Sequence, residues 1–152
     1  MMVGFNFVYS RIYFVSLNRH QSCERDWEAV KEIGKRFETD YRDILQQSKI
    51  LIPRVVGMEW QKSVVDIYLV DWCGPSFSHP LTLKVREDGK LMLAILIHEL
   101  LHDFYLKQEK NKSMMEIEDE INNKVEEVAG ELGLDLTKQM KALRENTVKR
   151  KE

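Results

Sequence analysis

The stretch that most limits how this chain can fold is Leu91–Tyr105. It is apolar on almost every side of a helical projection, and such a segment folds as a buried helix. Its polar exceptions are His98, Glu99, His102 and Asp103. Taking an uncompensated polar group out of water costs about 2–7 kcal/mol, so a buried helix carrying these groups needs something that satisfies them. The spacing says what that could be. Residues four apart on a helix lie on one face, one turn apart. The imidazoles of His98 and His102 can therefore reach a single divalent ion. Glu99 points about 100° away from its neighbour. It is placed to take a proton from an attacking water rather than to bind the ion. The alternative for this His-Glu-x-x-His sequence is a pair of buried histidines that only hydrogen-bond.

A catalytic zinc takes three protein ligands, and no histidine follows His102. His20 and His79 lie upstream in weakly patterned stretches. A carboxylate from the next helix is therefore expected as the third ligand. That helix, read as Met114–Leu132 with Ser113 as its cap, offers Glu116, Glu118, Glu120 and further acidic residues. Glu118 continues the apolar stripe Ile121, Val125, Val128 at helical spacing and ranks first. Glu120 and then Glu116 remain alternatives. Asn122, one turn after Glu118, is placed to orient a ligand. The other acidic residues read as a solvated face.

Around this pair of helices the chain reads as one domain, residues 1–132, with a C-terminal helix and tail over 133–152. Alternating apolar and aromatic residues from Phe5 to Leu17 predict a strand, a hairpin or an extension, so that 1–20 is a strand-like N-terminal segment. Trp27, Val30, Ile33, Phe37, Tyr41, Ile44 and Leu45 predict one long amphipathic helix over roughly residues 23–48, capped by Ser22. Pro53 and Gly57 break the stretch that follows. Strands are expected at Ser63–Asp71 and Leu81–Arg86, separated by a loop holding Gly74 and Pro75. A last helix, about Thr137–Lys149, has a thin apolar stripe at Met140 and Leu143 and ends in a basic tail. The fold class is α+β, a short mixed sheet packed on a backing helix.

The sequence has a net charge of −2, so no nucleic-acid partner is expected. The N-terminal stretch is short for a membrane span and is interrupted by Arg11, so no membrane partner or signal segment is expected either. Cys23 and Cys73 form no CxxC pair, and the default is a reducing, cytoplasmic setting. A monomer or small homo-oligomer is expected.

His98-Glu99-Leu100-Leu101-His102, followed by Glu118, Ile121 and Asn122, resembles the gluzincin-type zinc metallopeptidases, and most closely the minigluzincins. The ImmA/IrrE-like peptidases share the same pattern. The similarity covers roughly residues 23–132 in the order long helix, strand, edge strand, motif helix, glutamate helix. It implies a small zincin-like domain with one Zn2+ held by His98, His102 and Glu118, and Glu99 as general base. The substrate would be a peptide or protein, paired with the free edge of Leu81–Val85. Asp103 departs from the pattern, which usually has an uncharged residue there. Tyr105, one turn beyond His102, is read as a core or supporting tyrosine before an oxyanion partner. Some minigluzincins are latent, a terminal segment lying in the cleft. Cys73 is a weaker candidate for a zinc's fourth position. The alternative function is a zinc-binding regulatory or interaction protein with this fold and no turnover.

Overall fold

The computed structural model describes residues 2–20, 23–105 and 112–149. Expectations for the Ser22 cap, for most of the polar loop before Ser113 and for the end of the basic tail lie outside these residues. The described residues form an α+β structure, with six helices and a four-stranded mixed sheet. In order these are β1 (Gly4–Val8), α1 (Arg11–Leu17), α2 (Trp27–Asp40), α3 (Arg42–Val56), β2 (Val64–Val70), β3 (Phe77–Ser78), β4 (Leu81–Lys84), α4 (Gly89–Tyr105), α5 (Met114–Glu131) and α6 (Thr137–Lys149).

The strand order is β1-β2-β4-β3. β1 and β4 both run parallel to β2, and β3 runs antiparallel to β4. Successive strand residues face opposite sides. Val65, Ile67 and Leu69 of β2 and Leu81 and Leu83 of β4 are all buried. On the other face Tyr68 and Thr82 meet Tyr13 of α1, through a ring contact and a 2.6 Å hydroxyl hydrogen bond.

Three local expectations are corrected here. The N-terminal strand ends at Val8, and Arg11–Leu17 is a helix. Ser10 explains the switch: its side chain accepts from the Tyr13 N–H and caps α1. Tyr13, Phe14 and Leu17 then fall on one face, against the core. The same residues also fit strand alternation at several positions, so the pattern alone pointed the wrong way. Nor is β1 an extension, because it pairs with β2 residue for residue from Gly4↔Val64 to Val8↔Tyr68.

The helix expected over residues 23–48 is two helices, α2 and α3, divided at Tyr41, whose ψ of 17° leaves the helical range. Asp26 caps α2 by accepting from the Ala29 N–H. Gly34 allows α2 to lie close on the sheet, since a Cβ there would sit 2.8 Å from the Leu69 side chain.

Pro53 does not break the chain, and α3 runs through it to Val56. Proline has no N–H for the carbonyl four residues back, which is that of Lys49. The Trp60 indole N–H supplies the missing bond to that carbonyl at 2.7 Å. The helix ends at Gly57, which takes the left-handed conformation with φ 77°.

α4 is the central element, with Met92, Leu93, Ala94, Leu96 and Leu101 entirely shielded from water. Each fully buried large aliphatic side chain contributes about 1.5–3 kcal/mol, so the helix can carry buried polar groups as well. α5 packs on α4 and α3, and α6 on α4 and α5. Met140 anchors α6 and is fully buried, as its stripe predicts. No helix among the described residues is long and apolar enough to cross a membrane.

Candidate metal centre

Two helices build the site. α4 supplies His98 and His102, one turn apart, and α5 crosses it with Glu118. Ser113 starts α5 by accepting from the Glu116 N–H, and so fixes the helical phase of the acidic residues behind it. In that phase Ile121, Val125 and Val128 are buried in the core. Glu118 sits on the continuation of their stripe and turns toward α4.

His98 Nε2 lies 3.0 Å from Glu118 Oε2, and His102 Nε2 lies 2.9 Å from Glu118 Oε1. The two Nε2 atoms are 3.1 Å apart. Three ligand atoms from three side chains therefore converge on one point, and the group could hold a metal ion. Glu116 is exposed and Glu120 is paired with Lys112, so neither belongs to this cluster. Cys73 is exposed in its loop and is also outside the cluster.

The chemistry of the three side chains fits a cation. Asn122 Oδ1 lies 2.9 Å from His98 Nδ1. A carbonyl oxygen only accepts, so Nδ1 donates in this contact and Nε2 is the nitrogen directed at the cluster. That nitrogen faces a carboxylate oxygen and a second imidazole nitrogen at about 3 Å. Such an arrangement is repulsive unless a proton or a metal ion lies among the atoms. Metal–ligand bonds of 2.0–2.1 Å at tetrahedral angles would put ligand atoms about 3.3 Å apart. Opening the cluster by a few tenths of an ångström would therefore accommodate the ion.

The same geometry fixes the charge on Glu118. Burial raises its pKa, but hydrogen bonds with His102 and His98 and their positive charge outweigh burial, and hold the carboxylate well below its usual range. It stays an anion, as a metal ligand must.

The Asn122 contact carries a prediction. Asn122 is buried and orients His98. Partners of this kind are worth about 10–100-fold in metal affinity. Asn122→Ala is expected to weaken zinc binding by that factor in competition with a chromogenic chelator. Unchanged affinity would remove Asn122 from the site.

Glu99 is buried and opens into a neighbouring cavity of about 290 Å3. Its walls include Lys62, Val64, Asp66, His79 and Leu81. Among the described residues, those that line it all belong to the segment 62–103, and none comes from α1 or α6. Asp103 holds one wall in place. Its carboxylate contacts His79 Nε2 at 3.1 Å and the Lys62 amine at 3.6 Å. The residue that departs from the gluzincin pattern thus ties the turn before β4 to the motif helix. In the sequence His79 carries one signal, its place before a turn and a strand. Tyr105 is buried at the end of α4, as a core tyrosine would be. His20 lies in a separate surface depression beside Cys23 and Arg25.

The expected edge for substrate is corrected. β4 does not present a free edge at Leu81 and Thr82, because β3 pairs there through Phe77↔Thr82 and Ser78↔Leu81. Ser76 Oγ accepts the next N–H, that of Lys84, at 2.9 Å.

No protein-family model, curated protein or solved structure matches this chain. Its chemistry is therefore argued from the site itself.

Proposed function

We propose that the chain is a zinc-dependent metallopeptidase of the gluzincin type, acting in the cytoplasm on peptide or protein substrates. The observation that carries this reading is the convergence of His98, His102 and Glu118 on one point, with Glu99 in the adjoining cavity. Two imidazoles and one carboxylate with a fourth position left for solvent are a donor set suited to catalytic zinc. When bound, zinc supplies a Lewis acid that polarises a carbonyl and makes a water acidic near neutral pH.

The protein's own residues do the rest. Asn122 fixes the His98 ring so that Nε2 is the ligand atom. Glu118 brings one negative charge, which leaves a zinc site with net charge of about +1. Glu99 takes the proton from the attacking water and passes it to the leaving amine. The buried apolar surroundings of α4 limit water around these charges, which strengthens each interaction.

Metal analysis of protein purified without added metal tests the reading. One zinc per chain is expected, lost in His98→Ala and in His102→Ala, together with hydrolysis of unfolded protein by the intact chain. Absence of zinc, or zinc retained in both variants, would overturn the site. Zinc bound with no hydrolysis of any peptide would favour a regulatory zinc protein instead.

A further inference from the structure

The cavity beside Glu99 exists because β4 starts late. β2 pairs with β1 from Val64 to Tyr68, but with β4 only from Tyr68 to Val70. No strand among the described residues lies on the β4 side of Val64, Val65 and Asp66.

Hydrogen-bond directions show what this segment presents. Along a strand, the N–H and C=O of one residue point to one side, and those of the next residue to the other. The Ser63 carbonyl accepts from Gly4 N, on the β1 side, and the Val70 carbonyl accepts from Val85 N, on the β4 side. Even-numbered residues therefore face β4. The N–H and C=O groups of Val64 and Asp66 accordingly point into the open lane. Val64 and Asp66 line the same cavity as Glu99, with His79 and Leu81 at the end where β4 begins.

We infer that this lane is the substrate-docking site, and that its occupant is an extended peptide segment paired with the Val64–Asp66 edge of β2. The inference deepens the peptidase reading and rests on it for the chemistry at Glu99. Three features select this occupant. The ladder of donors and acceptors matches an extended backbone, as in other strand additions to a sheet. Three residues of strand span about 10 Å, and the two that face the lane, Val64 and Asp66, offer a peptide backbone two donors and two acceptors. At about 290 Å3 the cavity is at the small end of ligand sites, so a folded surface cannot enter. The substrate class is thus unfolded or disordered polypeptide rather than short amides or folded domains. β4 and the His79–Asp103 tie close one end of the lane and place the peptide alongside Glu99.

The test uses the zinc-loaded full chain with degenerate peptide mixtures of three and of ten residues. A tripeptide forfeits most of the ladder, so the decapeptides are expected to be cleaved at least about tenfold more efficiently in kcat/KM. Val64→Pro removes one donor that faces the lane. Proline is tolerated at the first residue of a strand, and this N–H takes no part in pairing with β1. The variant is expected to keep its zinc and lose about 2–12-fold on decapeptides, the worth of one hydrogen bond. A decapeptide of a cleaved sequence, N-methylated at alternate residues, should lose at least as much on the unaltered protein. Hydrogen exchange with Glu99→Gln and the decapeptide mixture gives a readout independent of cleavage: the Val64 and Asp66 amides should become protected.

Equal cleavage of both lengths, or N-methylation without effect, overturns the lane while leaving the peptidase reading intact. Protection of these amides with no hydrolysis by the unaltered protein supports the lane and overturns the peptidase reading. Neither protection nor hydrolysis overturns both.

Discussion

Glu99→Gln is expected to lower kcat/KM for peptide hydrolysis by about 10²–10⁴-fold while leaving one zinc per chain. The substitution keeps the size and polarity of the side chain and removes its ability to accept a proton and return it. Glu99 is buried at the wall of the adjoining cavity and stands outside the cluster of His98, His102 and Glu118, so the variant tests catalysis apart from metal binding. The measurement is steady-state hydrolysis beside metal analysis on the same preparation. Activity within a few-fold of the parent would show that another group moves the proton. Loss of zinc would show that Glu99 supports the ion and is not the base.

Removing the metal is expected to lower the melting temperature by about 8–16 °C. The estimate has two parts. An ion present at a thousand times its dissociation constant stabilises the folded state by about 4 kcal/mol. In a chain of this length each kcal/mol shifts the melting temperature by about 2–4 °C. The structural reason is that the cluster joins α4 to α5 across their packed faces. Without the ion, the carboxylate of Glu118 and the imidazole nitrogens stay crowded at about 3 Å, and protons must take the ion's place. Scanning calorimetry with and without chelator, at constant pH, reads the effect. His102→Ala should abolish the difference. A chelator shift that persists in that variant would place the stabilising metal elsewhere.

Much of the site was legible in the sequence, for local reasons. His98 and His102 meet because helical spacing alone fixes their common face. Glu118 was distinguishable from Glu116 and Glu120 because its phase matches Ile121, Val125 and Val128, which are buried in the structure. The fold was legible more coarsely. The positions of β2, β4, α4, α5 and α6 follow their patterns closely. Arg11–Leu17 did not, because strand alternation and a short capped helix place overlapping residues inward. Pro53 did not, because its effect depended on Trp60, seven residues later, supplying a bond to the Lys49 carbonyl.

What the sequence determined by itself is a buried helix with two imidazoles on one face, a carboxylate beside them and a second acidic helix of matching phase. These are properties of spacing and polarity within single elements. The tertiary structure alone decided how far each strand overlaps its neighbour. That overlap closes the edge of β4 with β3 and, among the described residues, leaves Val64–Asp66 of β2 unpaired on the β4 side, at the cavity that Glu99 also lines. Strand register depends on where separate segments start once packed together, and no pattern within one segment records it.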